Sequence, residues 1–309
     1  MIQTIRKAWN IPELRKKIVF TLLILLIYRI GNAIPVPYVD VGALSEYLNS
    51  MKTTVLGLYN VMSGGAFADA TVFALSIQPY INASIIIQLL TVAIPALERM
   101  AREEGEEGRK KIASITRYTT VGIGLIQGFA YYMLMRNQYN ILTNDSIAAA
   151  FVIIVTFVAG SAFIMWLGEQ ITEFGIGNGI SIILFASIIS RIPAGIGTMY
   201  SNREVLGVPG IVGILVGLLA LIVLITHVYN AERRIPVQYA KRQVGRKMYG
   251  GQSTTLPVKV NMSGVLPIIF AQSIAMLPAT IAAFLPAPQE GSFWYGFIQA
   301  IDTKSVLYM

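Results

Sequence analysis

Long runs of apolar residues, separated by short polar and charged segments, dominate this sequence. A run of about 20 apolar residues is what an α-helix needs to cross roughly 30 Å of hydrocarbon. Strands of a membrane barrel would instead alternate apolar and polar positions in short runs. The pattern therefore predicts an all-α polytopic membrane helix bundle with about seven transmembrane helices. The predicted spans lie near residues 18–37, 71–96, 114–135, 147–167, 180–200, 208–229 and 261–285.

The composition agrees with this class. Of the 309 residues, 55% are hydrophobic and only 13% are charged, which is more apolar than a soluble domain of this length. The chain has no cysteine, and this excludes structural disulfides and thiolate metal sites. Its single histidine, His227, has no neighbours in the sequence that suggest a catalytic or metal-binding group. We therefore predict no enzyme activity, no metal site and no cofactor.

Lysine and arginine are concentrated in segments on one side of the predicted spans. These segments are residues 1–17, 98–117 and 233–259, whereas the opposite segments carry scattered basic residues that acidic ones offset. Because cytoplasmic loops carry an excess of basic residues, the amino terminus is predicted to be cytosolic and the carboxyl terminus outside. Residues 1–17, which include Trp9, are predicted to form an amphipathic segment on the inner surface.

A basic insert of hairpin size separates the apolar stretches 206–229 and 260–284. It is too charged to enter a bilayer, and a positive arm of this kind is typical of proteins that present it to a large acidic partner. Pro236 and the pair Gly250–Gly251 are residues that favour turns. The candidate docking residues in the insert are Arg233, Arg234, Lys241, Arg242, Arg246 and Lys247.

The segment around residues 60–97 is unusual for a membrane span. A glycine-rich stretch at 62–67 precedes a predicted helix that carries Pro79, Asn82 and Gln88. Irregular backbone at membrane depth persists only where protein or a water-filled cavity surrounds it, so a short re-entrant element beside a cavity is one interpretation. An ordinary outer loop is the other. Pro79 is likewise either a routine kink or a bend that shapes a cavity wall.

Three long motifs in this sequence closely resemble the SecY/Sec61-alpha family of protein-translocase channel subunits, in its bacterial form. They are residues 63–90, residues 166–181 and the basic insert with its continuation to Pro267. Members of this family resemble ten-helix clamshells made of two inverted halves of five helices. The resemblance implies a complete first half over 18–200 and a second half over 201–309 that lacks the last three helices, with the hairpin at about 230–260.

The resemblance also assigns roles to residues along the conducting path. An aliphatic pore ring closes by dewetting and yields around varied side chains. A plug over about 55–70 seals the outer funnel, and Gly64–Gly65 is its expected hinge because glycine adopts backbone angles that other residues avoid. The ring would comprise Ile77, Ile81, Leu184, Ile188 and Ile269, and the plug would include Ser63, Gly64, Gly65, Ala66 and Phe67.

A lateral gate between the second and seventh helices is a further implication of the resemblance. Polar side chains could hydrogen-bond across such a seam when it is shut, at about 0.6 kcal/mol each. The rival interpretation is ordinary helix packing. The gate candidates are Asn82, Ser84, Ile85 and Gln88 on one side and Ile268, Gln272 and Ser273 on the other.

The implied function is a channel that moves unfolded secretory proteins across the bacterial cytoplasmic membrane and releases membrane proteins laterally into it. Implied partners are SecE, SecG, the SecA ATPase, the ribosome, SecDF, YidC, signal sequences, nascent polypeptides and membrane lipids. A secondary transporter of small solutes is the alternative, since inverted repeats and broken helices also occur in those folds. No Asp, Glu, Lys or His lies near the middle of a predicted span, which disfavours a proton relay, although Arg29 and Arg191 lie near the middle of the spans 18–37 and 180–200.

Overall fold

A computed structural model of the chain describes residues 9–50, 55–137, 141–237, 242–244, 247–249 and 254–261. Most of these residues are helical, which confirms the predicted all-α class, and within these ranges strands occur only in the basic insert. The helices are α1 (Pro12–Gly31), α2 (Val41–Ser50), α3 (Val55–Met62), α4 (Gln78–Ala93), α5 (Pro95–Arg102), α6 (Gly105–Arg136), α7 (Ile147–Phe174), α8 (Gly179–Ile189), α9 (Ile192–Ser201) and α10 (Arg203–Asn230). The strands are β1 (Glu232–Val237), β2 (Arg242–Val244), β3 (Lys247–Tyr249) and β4 (Thr254–Lys259).

Three helical stretches among the described residues are long and apolar enough to cross a membrane: Ile147–Phe174, Gly179–Ser201 and Gly207–Asn230. The bent pair α4 and α5 would make a fourth. The predicted spans near 18–37 and 114–135 fall on α1 and α6, which are 20 and 32 residues long. Both helices begin with charged residues, so neither is apolar along its whole length. The predicted span 261–285 lies outside the described residues except for Asn261.

The predicted span 71–96 differs most from its sequence expectation. Residues 71–77 form turns, the helix begins only at Gln78, and α4 and α5 meet at an angle of 103°. The bend lies at Ile94, whose backbone is extended because the following Pro95 disfavours the helical conformation there. Pro79 lies in the first turn of α4, where backbone N–H groups have no intrahelical acceptor, so the missing N–H of proline costs no hydrogen bond there. The prediction that Pro79 kinks or bends a helix is therefore wrong.

The chain divides into two compact units, one holding the described residues up to Pro193 and the other beginning at Ala194. In the first unit, α4, α6 and α7 pack together, and α7 also packs on α1 and α8. Their buried core includes Tyr131 and Met135 of α6, Phe157 of α7 and Phe67 from the segment between α3 and α4. This irregular segment is therefore built into the core of the first unit.

The second unit contains α10 and the strands of the basic insert. Helix α10 has a break at Gly207, whose φ of 64° lies in the left-handed region, so Pro209 falls in the first turn of the regular helix that follows. Strands β1 and β4 pair antiparallel, from Glu232 opposite Lys259 to Val237 opposite Thr254. Strands β2 and β3 form a second antiparallel pair.

Candidate functional site

The irregular segment between α3 and α4, residues 63–77, is called the central turn below. Several of its backbone polar groups are bonded within the segment, to the preceding helix and to Ile34 and Val36 after α1. The Phe67 N–H donates to Ser63 Oγ (3.1 Å) and the Ala68 N–H donates to Asn60 Oδ1 (3.0 Å). The Thr71 N–H donates to the carbonyl of Ala66 (3.1 Å). Because these backbone groups are paired, the turn can persist in apolar surroundings without regular structure.

The glycine pair at the start of the central turn has the backbone that the sequence suggested. Gly64 has a φ of 68° and Gly65 a φ of 97°, both in the region that favours glycine. Both also lie against the C-terminal end of α8. A side chain at Gly64 would meet the carbonyl oxygen of Ser187, and one at Gly65 would meet the guanidinium of Arg191. A larger residue at Gly64 would therefore be strained twice, by conformation and by contact with backbone. A larger residue at Gly65 would be strained by conformation and would also displace the flexible Arg191 side chain.

Beyond the glycine pair, Phe67 fixes the central turn in the core of the first unit. Its side chain is only 4% exposed and stacks on the ring of Tyr131, with centroids 4.3 Å apart and an interplanar angle of 20°. The Tyr131 hydroxyl donates a hydrogen bond to the carbonyl of Phe67. The ring of Tyr59 lies 4.9 Å away on α3, and Tyr131 in turn contacts Phe157. Of the five predicted plug residues, Ser63, Gly65, Ala66 and Phe67 are buried and Gly64 is half-buried, and Phe67 belongs to the hydrophobic core.

Two of the predicted ring residues lie where the central turn enters α4. Ile77 is fully buried and Ile81, one turn later, is 9% exposed, and the Ile81 N–H donates to the Ile77 carbonyl (3.1 Å). On α8 the environment differs, because Leu184 is half-buried and Ile188 is 51% exposed. The buried face of α8 is that of Ile183 and Ser187 instead. The fifth predicted ring residue, Ile269, lies outside the described residues.

The residues predicted for one side of the lateral gate lie on α4. Asn82 and Ser84 are half-buried, Ile85 is buried and Gln88 is exposed. Ser84, Ile85 and Gln88 recur at the three- and four-residue spacing that places side chains on one helix face. The opposing candidates Ile268, Gln272 and Ser273 lie outside the described residues.

The candidate docking residues of the basic insert are placed in part. Arg233 and Arg234 are both exposed on β1, and they are adjacent in the strand, so they point to opposite faces of the β1–β4 ribbon. Arg242 lies in β2 and pairs with Tyr249, whereas Lys247 lies in β3 and pairs with Val244. The two basic residues are therefore at opposite ends of this short ladder. Lys241 and Arg246 lie outside the described residues. The basic charge is therefore not confined to one face of the insert.

Some contacts in this region could not be read from the sequence. Arg117 of α6 and Glu169 of α7 form an ion pair with Nε and Oε1 2.8 Å apart, although they are far apart in the chain. The hydroxyls of Tyr28 in α1 and Ser187 in α8 share a hydrogen bond of 2.7 Å. At the start of α6, a hydrogen bond to Glu104 raises the pKa of Lys111, which keeps that amine charged. Of these contacts, only the ion pair of Lys111 with Glu104 had a signal in the sequence, namely the mixture of basic and acidic residues near 98–117.

These observations define an α-helical, multi-pass membrane protein with an irregular segment buried in its helix bundle. Comparison with known proteins makes the class more specific. A sequence profile of the SecY family matches residues 71–309, well over half of the chain. The protein translocase subunit SecY of Aquifex aeolicus is 40% identical over 318 aligned positions, which cover 96% of this chain and 73% of that relative. The corresponding Escherichia coli K12 subunit is 44% identical, over 89% of this chain and 63% of its own length.

Solved structures agree in fold. The structure of a protein-conducting channel matches with a TM-score of 0.64 at 18% identity, covering 88% of this chain and 59% of that one. Sec61 in a canine ribosome–channel complex from the endoplasmic reticulum matches with a TM-score of 0.61 at 17% identity, and the chain again covers 59% of it. The chain belongs to the SecY family. The family assignment supports the channel interpretation and gives no support to the solute-transporter alternative.

Proposed function

We propose that this chain forms the protein-conducting channel of a Sec translocase in a bacterial cytoplasmic membrane. It would pass unfolded secretory proteins across the membrane and release membrane proteins laterally, with its amino terminus in the cytosol. The observation that carries this proposal is the 40–44% identity to SecY subunits, which extends over 89–96% of the chain. The positions of the basic segments support the orientation, by the positive-inside rule.

The proposed conducting path follows the central turn. Ile77, Ile81, Leu184, Ile188 and Ile269 would form the pore ring, and the segment of about 55–70 would act as the plug. The burial of Ile77 and Ile81 directly after the central turn supports a close association of ring and plug. Asn82, Ser84, Ile85 and Gln88 on α4 would face Ile268, Gln272 and Ser273 across the lateral gate. Half-burial of Asn82 and Ser84 suits residues at a seam that opens.

Partner binding would take place largely on the inner face. SecE and SecG would complete the channel, and SecDF and YidC would be accessory partners in the membrane. The exposed arginines of β1 would help to bind the SecA ATPase and the ribosome, whose acidic patches and RNA phosphates attract basic side chains. Sec61, a structural neighbour, was solved in a ribosome–channel complex, which supports the ribosome as a partner. ATP would be hydrolysed by the motor rather than by this chain.

A solute transporter would need polar or ionisable groups inside the bundle. Arg191 is half-buried, and its Nε is fully buried. Among the described residues, the polar residues buried as a whole are Ser, Thr and Gln, and no Asp, Glu, Lys or His is among them. This supports a channel for polypeptides over an ion-coupled carrier.

Site-directed photocrosslinking tests the proposal. A photoreactive residue at Ile81 or Ile269 should crosslink to a stalled secretory chain in native membranes. Ile86 is the matched control, because it lies on the same helix as Ile81 and is exposed among the described residues. Crosslinks from Ile81 and Ile269 but not from Ile86 are expected. Crosslinks of equal yield from Ile81 and Ile86, or none from either ring site, would contradict a pore lined by these residues.

A further inference from the structure

The C-terminal end of α8 lies directly against the glycine pair of the central turn. A Cβ placed on Gly64 would lie 2.9 Å from the carbonyl oxygen of Ser187 and 3.1 Å from Ser190 Oγ. One placed on Gly65 would lie 2.9 Å from Cζ, 3.0 Å from Nη2 and 3.2 Å from Nε of Arg191. Three guanidinium atoms at nearly equal distances mean that its flat face, rather than its edge, covers Gly65. The residues Ser187, Ser190 and Arg191 are called the α8 seat below.

The α8 seat is held in place by its own bonds. Ser190 Oγ donates to the carbonyl of Ser187 (2.7 Å), and the Arg191 N–H donates to the carbonyl of Ile188 (3.2 Å). Ser187 Oγ donates to the carbonyl of Ile183 (2.9 Å) and also shares a hydrogen bond with the Tyr28 hydroxyl of α1. The seat is therefore tied to two helices. The α8 seat is therefore a fixed surface on which Gly64 and Gly65 pack.

Arg191 is the unusual member of the seat. Its Nε is buried and has no hydrogen-bond partner, so no bond of that atom explains the position of the guanidinium. A cation at a helix C-terminus is favourable, which accounts for the presence of the charge but not for its flat packing on Gly65. A side chain at position 65 would strike the guanidinium and displace this flexible end of Arg191, so the flat contact exists only with glycine at position 65.

We infer that the α8 seat holds the Gly64–Gly65 hinge in its closed position and that Arg191 is a positioning residue for the plug. The inference deepens the proposed function and rests on it, because it assigns a holding contact to the plug segment. When α3 and the glycine pair move away from α8, the flat contact between Arg191 and Gly65 must break. Removing the guanidinium should therefore shift the hinge toward the open position.

The chain has no cysteine, so a single cysteine reports on one site. Met62→Cys places it at the end of α3, directly before the central turn, where Met62 is half-buried and accepts a hydrogen bond from Gln78. The full chain would be reconstituted in nanodiscs and labelled with a water-soluble maleimide, without any secretory substrate. Arg191→Ala should raise the labelling rate about fivefold. Thr143→Cys, which is exposed, should label at an unchanged rate.

A double-mutant cycle separates positioning from simple helix capping. Gly65→Ala should strongly raise the labelling rate of the Met62→Cys thiol in the parent. In the Arg191→Ala background it should raise that rate by a smaller factor, because the new Cβ no longer meets the guanidinium. Gly64→Ala is the matched control, since Gly64 also has a positive φ (68°, against 97° for Gly65) but lies against Ser187 and Ser190. Its effect on the labelling rate should multiply with that of Arg191→Ala. A capping role would change unfolding stability without this selective coupling to Gly65.

Three results would overturn the inference. These are an unchanged labelling rate in Arg191→Ala, equal multiplication for the Gly64 and Gly65 cycles, or labelling at the parent rate in Arg191→Lys, which has no flat face. A failed channel proposal gives a different result, because nascent-chain crosslinks from Ile81 would then be missing while the labelling cycle still showed coupling. The two failures are thus distinguishable.

Discussion

At the scale of single residues, one side chain of α6 joins the central turn to the core. Tyr131 both stacks on Phe67 and donates its hydroxyl to the Phe67 carbonyl. That carbonyl accepts one other hydrogen bond, a longer one of 3.3 Å from the Ala70 N–H. The hydroxyl therefore supplies the better partner for a buried acceptor, and buried acceptors are costly to leave poorly bonded.

Tyr131→Phe removes this hydroxyl and keeps the ring. We expect the free energy of unfolding to fall by about 1 kcal/mol, because the Phe67 carbonyl keeps only its longer bond. Tyr118→Phe is the control on the same helix, since Tyr118 is 78% exposed and should change stability by less than about 0.5 kcal/mol. Denaturant unfolding in detergent measures both. Equal effects would mean that the bond to Phe67 contributes nothing of its own.

At the scale of secondary-structure elements, an ion pair links α6 to α7. Arg117 and Glu169 are 2.8 Å apart, and their side chains are 52% and 27% exposed. Such exposure leaves the charges partly solvated, so their attraction is weak despite the short distance. The packing of α6 on α7 must therefore depend mainly on apolar contacts such as that between Tyr131 and Phe157.

A double-mutant cycle with Arg117→Gln and Glu169→Gln should give a coupling energy of about 0.2–1 kcal/mol. The coupling should fall further at high salt, which screens exposed charges. The pair Arg102–Glu98 within α5 is the control, with an expected coupling of about 0.3–0.5 kcal/mol. A coupling for Arg117–Glu169 that is several times larger and insensitive to salt would show that the pair is more deeply desolvated than its exposure indicates.

The basic insert is an element whose proposed role depends on its charge. Arg242→Glu should weaken binding of ribosomes, since it replaces a cation that would lie near RNA phosphates with an anion. Arg242→Gln should lower the salt dependence of log affinity by about one unit. Arg203→Glu is the control, because it makes the same charge change at the start of α10, on the side predicted to be outside. Cosedimentation over a salt series measures all three, and unchanged binding by Arg242→Glu would remove this residue from the docking surface.

At the scale of the whole molecule, the proposed pore ring would seal the channel against ions only as a complete set of side chains. Ile81→Asn should raise the ion leak of proteoliposomes severalfold, because an amide in the constriction favours water there. Ile86→Asn is matched in chemistry and helix but lies on an exposed part of α4, and it should leave the leak unchanged. A leak that is the same in Ile81→Asn and in the parent would exclude Ile81 from the ring.

The sequence predicted those features that depend on local chemistry. Continuous apolar runs indicated the helices at 147–167 and 208–229, and the glycine pair indicated backbone outside the usual regions. The bend at Ile94–Pro95 also had a local signal, which the long apolar run concealed. The contact of Tyr131 with Phe67, the ion pair of Arg117 and the flat packing of Arg191 on Gly65 join distant parts of the chain. Periodicity and composition carry no information on such pairings.

Helix α3, which precedes the glycine pair in the chain, has dimensions that bear on the size of a channel opening. It has eight residues, and at 1.5 Å per residue such a rod is about 12 Å long. An α-helix with its side chains is about 10–12 Å across. If α3 alone moved aside about the glycine pair while Phe67 stayed in the core, the space that it left would be about as wide as one helix. One helix or one extended chain would fit in that space. The size of the movable rod would then limit what passes at one time to a single polypeptide segment.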